Sequence, residues 1–129
     1  MIDNKKNLNG NINNDSNGSI VVNNTTVSSV INGNITNTKD GNITLDNKGT
    51  FDGYIKNKGT GSLSLTNDNT VSGYIENNGT GRISITNDGT INGSITNTGT
   101  QRVVGNNWID NIWIDNNKEL KSNIEKSQW

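Results

Sequence analysis

The 129 residues suit one domain, and only 27% of them are hydrophobic, well below the usual share for a globular domain. No Cys and no His are present, which removes disulfides, thiolate nucleophiles, zinc–thiolate sites and the commonest general base, so no metal, cofactor or catalytic residue is expected. A net charge of −1 gives no electrostatic case for binding nucleic acid, and no stretch approaches the ~18–20 apolar residues that a membrane helix needs.

The chain opens with Met1-Ile2-Asp3-Asn4-Lys5-Lys6, which no apolar run follows, so no secretory signal peptide is expected and residues 1–7 read as an N-terminal tail. A repeat pattern starts at Leu8 and runs to residue 107. Its clearest mark is asparagine at every tenth position: Asn37, Asn47, Asn57, Asn67, Asn77, Asn87 and Asn97. Regularity this strict marks a repeat architecture. The unit has 20 residues in two halves. The first reads apolar-x-Gly-x-Ile-x-Asn-x-Gly-Thr, as in FDGYIKNKGT (51–60), VSGYIENNGT (71–80) and INGSITNTGT (91–100). The second reads Gly-x-apolar-x-apolar-x-Asn-x-Gly-Thr, as in GNITLDNKGT (41–50) and GRISITNDGT (81–90). Earlier copies stand at 8–14 and 18–24. A three-residue surplus within Thr25–Val30 reads as a surface loop, and QRVVGNN (101–107) as a decayed copy.

Within each half the informative residues fall on odd positions. Alternation at period two places them on one face of a strand, and no apolar spacing of 3.6 competes with it. The expected fold is therefore all-β: a parallel β-solenoid of about five coils. Its core columns would be Ile35, Ile55, Ile75 and Ile95 on one side and Leu45, Leu65 and Ile85 on the other. Asn37, Asn57, Asn77 and Asn97 would form one internal ladder and Asn47, Asn67 and Asn87 a second, each amide bonding its neighbours and the turn backbone. Gly49, Gly59, Gly79, Gly89 and Gly99 would close the turns through positive φ, with Asn69 standing in for one of them. Whether a coil has two long faces or three short ones stays open.

Residues 108–129 read as a cap. Trp108 and Trp113 belong to two WID copies, and Leu120 and Ile124 lie four apart in a Lys/Glu-rich stretch, which suggests a short amphipathic helix over 117–127.

The phrases GTINGSITNTGT (89–100) and GTGRISITNDGTINGSITN (79–97) resemble the passenger repeats of bacterial autotransporters, and those of filamentous-haemagglutinin-like and vacuolating-cytotoxin-like exoproteins. The resemblance spans roughly residues 8–107. It implies a right-handed parallel β-helix, exported by type V secretion and displayed at the outer membrane or secreted, acting as an adhesin or toxin-like scaffold. Implied partners are a host-cell surface, a glycan or a neighbouring bacterial cell. The family's signal peptide and C-terminal membrane β-barrel have no counterpart in the pattern of this chain. A fragment of a larger gene, even one without independent function, is therefore an alternative expectation.

Tyr54 and Tyr74 should stack on the outer face beside Lys56 and Glu76, and Arg82 and Arg102 should neighbour one another; Tyr54, Tyr74, Arg82 and Arg102 form the candidate binding surface. The threonine columns Thr50, Thr70, Thr90 and Thr60, Thr80, Thr100 raise an ice-binding solenoid as a second function. Asp68 and Asp88, exposed near turns, do not suggest a catalytic carboxylate pair. Self-association through the solenoid ends is a further expectation, because an end coil exposes an unpaired sheet edge.

Overall fold

In the computed structural model, residues 1–97, 112–116, 119–120 and 124–126 are described, and the account below concerns these. The chain winds as a parallel β-solenoid with three strands to a turn. The first rung is β1 (Ile2–Asn4), β2 (Asn7–Asn9) and β3 (Ile12–Asn14). The second is β4 (Ile20–Asn24), β5 (Val30–Asn32) and β6 (Ile35–Asn37). The third is β7 (Ile43–Asn47), β8 (Thr50–Asp52) and β9 (Ile55–Asn57). The fourth is β10 (Leu63–Asn67), β11 (Thr70–Val71) and β12 (Ile75–Asn77), and the fifth is β13 (Ile83–Asn87), β14 (Thr90–Ile91) and β15 (Ile95–Asn97). Their number is that of the coils expected over 8–107, but the first starts at Ile2 and the fifth ends its strands at Asn97. A sixth rung follows: β16 (Ile112–Asn116), β17 (Glu119–Leu120) and β18 (Ile124–Lys126).

Like strands stack on like strands, so the rod has three six-stranded parallel sheets and each coil has three faces. The face left open by the sequence is resolved at Gly53. Alternation runs unbroken from Phe51 to Asn57, yet the chain turns a corner between β8 and β9, splitting the first half of the unit across two sheets. At the corner the Tyr54 N–H donates to Asn34 Oδ1 at 2.9 Å instead of to a strand carbonyl. The second half needs no such bend and forms one five-residue strand.

Register explains the irregularities. Ile2 pairs Val22, and Leu63 pairs both Ile43 and Ile83, each a step of 20. Leu8 pairs Ile31 and Ile12 pairs Ile35, a step of 23. The extra three residues fall in the 25–29 connection between β4 and β5, as the sequence predicts, and leave Val27 79% exposed at its tip. The loop is braced rather than loose: Ser29 Oγ donates to Thr26 O at 2.7 Å, and Thr25 Oγ1 donates to Asn4 O at 3.0 Å.

Three expectations are corrected. First, residues 1–7 are not a tail, because β1 pairs in register with β4 and puts Asn4 under Asn24. Second, no helix covers residues 117–127 in their described parts: Leu120 pairs Ile91 and Ile124 pairs Ile95 as strand residues of two different sheets. Four-residue spacing suited a helix face, but here it separates column positions on two successive strands, as it does from Phe51 to Ile55. Third, the place expected for the copy at 101–107 is taken by β16, whose Ile112 pairs Ile83 at a step of 29. Residues 101–107 and Trp108 themselves lie outside the described residues.

The interior is a set of columns. Ile35, Ile55, Ile75 and Ile95 are fully buried, as are Leu45, Leu65 and Ile85 to within 1%. Ile31, Phe51, Val71 and Ile91 form a third column, and Ile43, Leu63 and Ile83 a fourth. Ile2, Leu8 and Ile12 of the first rung pack against this core but are only partly covered.

Candidate functional site

Both asparagine ladders form, with side chains fully buried from the second rung upward. In the first, Asn24 Nδ2 donates to Asn47 Oδ1, Asn47 to Asn67 and Asn67 to Asn87, each at 2.8 Å. In the second, Asn37 donates to Asn57 and Asn57 to Asn77 at 2.9 Å, and Asn77 to Asn97 at 3.0 Å. The ladders extend down to Asn4 and Asn14, which the ten-residue spacing alone did not reach. All of these ladder bonds run the same way, from Nδ2 of one rung to Oδ1 of the next. Each Nδ2 also holds the turn beside it: Asn47 reaches Gly49 O and Thr70 O, both at 2.9 Å, and Asn77 reaches Gly81 O at 2.7 Å. The ladder thus satisfies carbonyls that a buried turn would otherwise orphan.

The turn glycines serve a different purpose from the one expected. Among the described residues only Gly10 and Gly33 have positive φ, at 134° and 157°. Gly49, Gly59, Gly79 and Gly89 are needed for closeness between rungs. A Cβ on Gly49, for example, would stand 2.7 Å from Thr26 O and from Ser29 Oγ. Gly99 lies outside the described residues.

On the outside, Tyr54 and Tyr74 stack as predicted, with ring centroids 4.8 Å apart and planes 7° from parallel. Tyr74 is 38% exposed. Lys56 Nζ lies 3.4 Å from Glu76 Oε2 on the adjoining face, each side chain about a quarter exposed. Their immediate neighbours in the columns are neutral: Asn34 and Ser94 flank the tyrosines, Thr36 and Thr96 the charged pair. Such a pair contributes about 0.5–1.5 kcal/mol beyond burial, and a surface ion pair less than about 1 kcal/mol. Tyr74→Ala should therefore lower the unfolding free energy by no more than about 1.5 kcal/mol beyond the area lost, read by urea titration. Arg82 leads into β13; Arg102 is outside the described residues, so their adjacency is not placed.

The threonine columns separate. Thr50, Thr70 and Thr90 pair at the start of the β8 sheet and are half-buried. Thr60 and Thr80 are exposed at a different turn, where Thr60 Oγ1 donates to Asp40 Oδ1 at 2.9 Å. They do not form one two-wide rank. A two-wide hydroxyl rank exists elsewhere, missed because it lies on the even positions: Ser64 with Thr66 beside Ser84 with Thr86, outward on the β10–β13 face. Thr44 extends one column, while Asp46 interrupts the other.

Asp46 is the misfit of that face. It stands between Asn23 and Thr66, and its Oδ1 is buried without a hydrogen-bond partner. Threonine fills the next two positions of the column, Thr66 and Thr86. Asp46→Thr should raise stability by about 1 kcal/mol, the cost of one unsatisfied buried acceptor, seen as an upward shift in the melting midpoint.

Among the described residues, no group of three acidic, His or Cys side chains is placed to hold a metal ion. No protein-family model, no curated protein and no solved structure matches the chain.

Proposed function

We propose that this chain is a display scaffold: a stiff solenoid rod that carries varied side chains at fixed intervals on its outer faces and acts by contact, without catalysis. The observation behind this is the contrast between inside and outside. Inward columns keep to one kind of side chain, apolar or Asn, rung after rung. Outward columns change chemical character along the rod, as in Asn34, Tyr54, Tyr74, Ser94 or Thr36, Lys56, Glu76, Thr96. Winding the coil does not require that variation, so what distinguishes this rod from a plain repeat lies on its surface.

The repeat phrases that resemble autotransporter passengers give the finer reading: an adhesive or toxin-like rod, secreted or displayed on a bacterial surface. The partner is a glycan, a host-cell surface or a neighbouring bacterial cell. The stacked tyrosines beside the Lys56–Glu76 pair are the contact patch, since exposed aromatics next to charge favour recognition. The purified chain should bind glycans on an array or intact cells saturably. Tyr54→Ala with Tyr74→Ala should reduce that binding at least tenfold while circular dichroism stays unchanged. No binding to glycans, host cells or bacterial cells above an albumin control would sink the adhesive reading. The Ser64/Thr66 and Ser84/Thr86 rank favours one other reading, binding to ice, and thermal hysteresis in a freezing-point assay would replace the adhesive reading with it.

A further inference from the structure

We infer that the two ends of this rod are complementary, and that copies of the chain stack head to tail into an open filament with all three sheets continued across the junction. The inference rests on the fold and not on the adhesive reading.

Three observations carry it. The first is length. In the sixth rung Ile114, Asn116, Leu120 and Ile124 occupy the columns of Ile2, Asn4, Leu8 and Ile12, and each stands 112 positions later. The first and last rungs therefore have the same spacing between columns, with no extra loop to bypass. The surplus residues of the second rung lie in the 25–29 connection, away from the first-rung edge. A following copy can lay β1, β2 and β3 over β16, β17 and β18 as one more rung.

The second is direction. Ladder bonds run from Nδ2 of each rung to Oδ1 of the next, so the first rung ends in acceptors. Asn4 Oδ1 receives only a long 3.4 Å contact from Lys6 N, and Asn14 Oδ1 is held locally by Ser16 Oγ at 2.9 Å. At the other end the ladder positions hold Asn116 and Lys126, and both residue types carry donors. Donor end meets acceptor end only if copies stack in the same sense. Such a heterologous contact does not close on itself and propagates.

The third is the edge itself. Ile12 N donates to Asn34 O at 2.8 Å, so strand alternation turns the Asn13 N–H away from the second rung. Among the described residues nothing pairs that edge. Ile2, Leu8 and Ile12 are incompletely covered there, and a further rung would bury them. One term opposes stacking: Asp3 would come over Asp115, one spacing of about 4.8 Å away, and like charges directly opposite repel. Salt screens exposed charges within about 3 Å at 1 M, so stacking should strengthen with ionic strength.

The test is sedimentation velocity of the 129-residue chain from low salt to about 1 M, with electron microscopy of the same samples. Particles should lengthen with concentration and salt at constant width. Asp115→Lys, which sets opposite charges at the junction, should stack at low salt and at least tenfold lower protein concentration. Asn13→Pro removes an edge donor without touching the bonds to the second rung and should remain monomeric at every salt concentration. A wild-type chain and an Asp115→Lys chain that both stay monomeric throughout would overturn the inference. So would Asn13→Pro particles identical to wild type, or growth in width. If Asn13→Pro fails to fold, the Asp115→Lys comparison decides alone.

Discussion

Replacing Asn57 by Leu should lower the unfolding free energy by about 4 kcal/mol or more, although the new side chain is similar in size and better suited to an apolar interior. The Asn57 amide holds four separate groups. It accepts from Asn37 Nδ2 and donates to Asn77 Oδ1, both at 2.9 Å. Its two N–H hydrogens are shared with two further acceptors, Gly59 O at 3.3 Å and Gly61 O across the next turn. Leu abolishes all four bonds at once in a fully buried place, where each abandoned polar group costs roughly 1–3 kcal/mol. Hydrophobic gain does not offset this, because the ladder position borders a turn and its neighbours are carbonyls. The effect should also spread. A repeat rod is held by its nearest-neighbour interfaces, so breaking one in the middle separates the coils on either side. Urea unfolding of Asn57→Leu should show a lower midpoint and a broadened or two-step transition. Asn92→Ala, exposed on an outer face, should stay within about 0.5 kcal/mol of wild type. Equal melting of Asn57→Leu and wild type would mean that the ladder is ornamental.

Gly73→Ala should be comparably damaging. A single methyl there would overlap the Gly53 carbonyl on the rung below and stand 2.9 Å from Tyr54 N. These are backbone atoms of a packed corner and cannot swing aside. The two rungs would have to separate, which strains the hydrogen bonds on both sides of the corner, including Ile55 N to Tyr74 O at 2.9 Å. A loss of about 3 kcal/mol or more is expected, in the range of severe overpacking. Gly18→Ala is the matched control. Its added Cβ would meet only Ser16 Oγ, at 3.5 Å, and its φ is not in the left-handed region. That variant should be neutral, or slightly more stable through reduced freedom of the unfolded chain. If both variants melted alike, interstrand closeness would not be what glycine supplies at the corner.

What could be read beforehand divides along a physical line. Columns were legible because an inward position in a stacked coil is constrained identically at each rung, and a period in the sequence is the direct trace of that. Asn57, Ile55 and Leu65 all sit where the period puts them. Corners were not legible, because alternation passes through Gly53 undisturbed while the backbone changes direction. The role of Gly49 was misjudged for a related reason: glycine marks both a left-handed turn and a close approach, and only the rung below tells them apart. The ends were obscured by dilution. Three residues, Ile2-Asp3-Asn4, are too few to show a period, and a step of 29 hides the match between Ile112 and Ile83. The tyrosine stack was foreseen from spacing alone, whereas the hydroxyl rank on Ser64, Thr66, Ser84 and Thr86 went unnoticed among even positions set aside as solvent-facing.

The step of 20 between the bonded strands of the third, fourth and fifth rungs bears on how such a chain grows over evolutionary time. In most folds a tandem duplication creates residues with nowhere to go. Here, a copied stretch of 20 residues such as 61–80 would meet the same register above and below that its parent met. The sequence distance between touching residues would remain 20 however long the rod became, so a longer descendant would face no harder conformational search than its ancestor. Unequal exchange between near-identical repeats in the gene would therefore yield folded rods of altered length in single steps. Reach would be the property most freely varied between descendants, and the makeup of each coil the least.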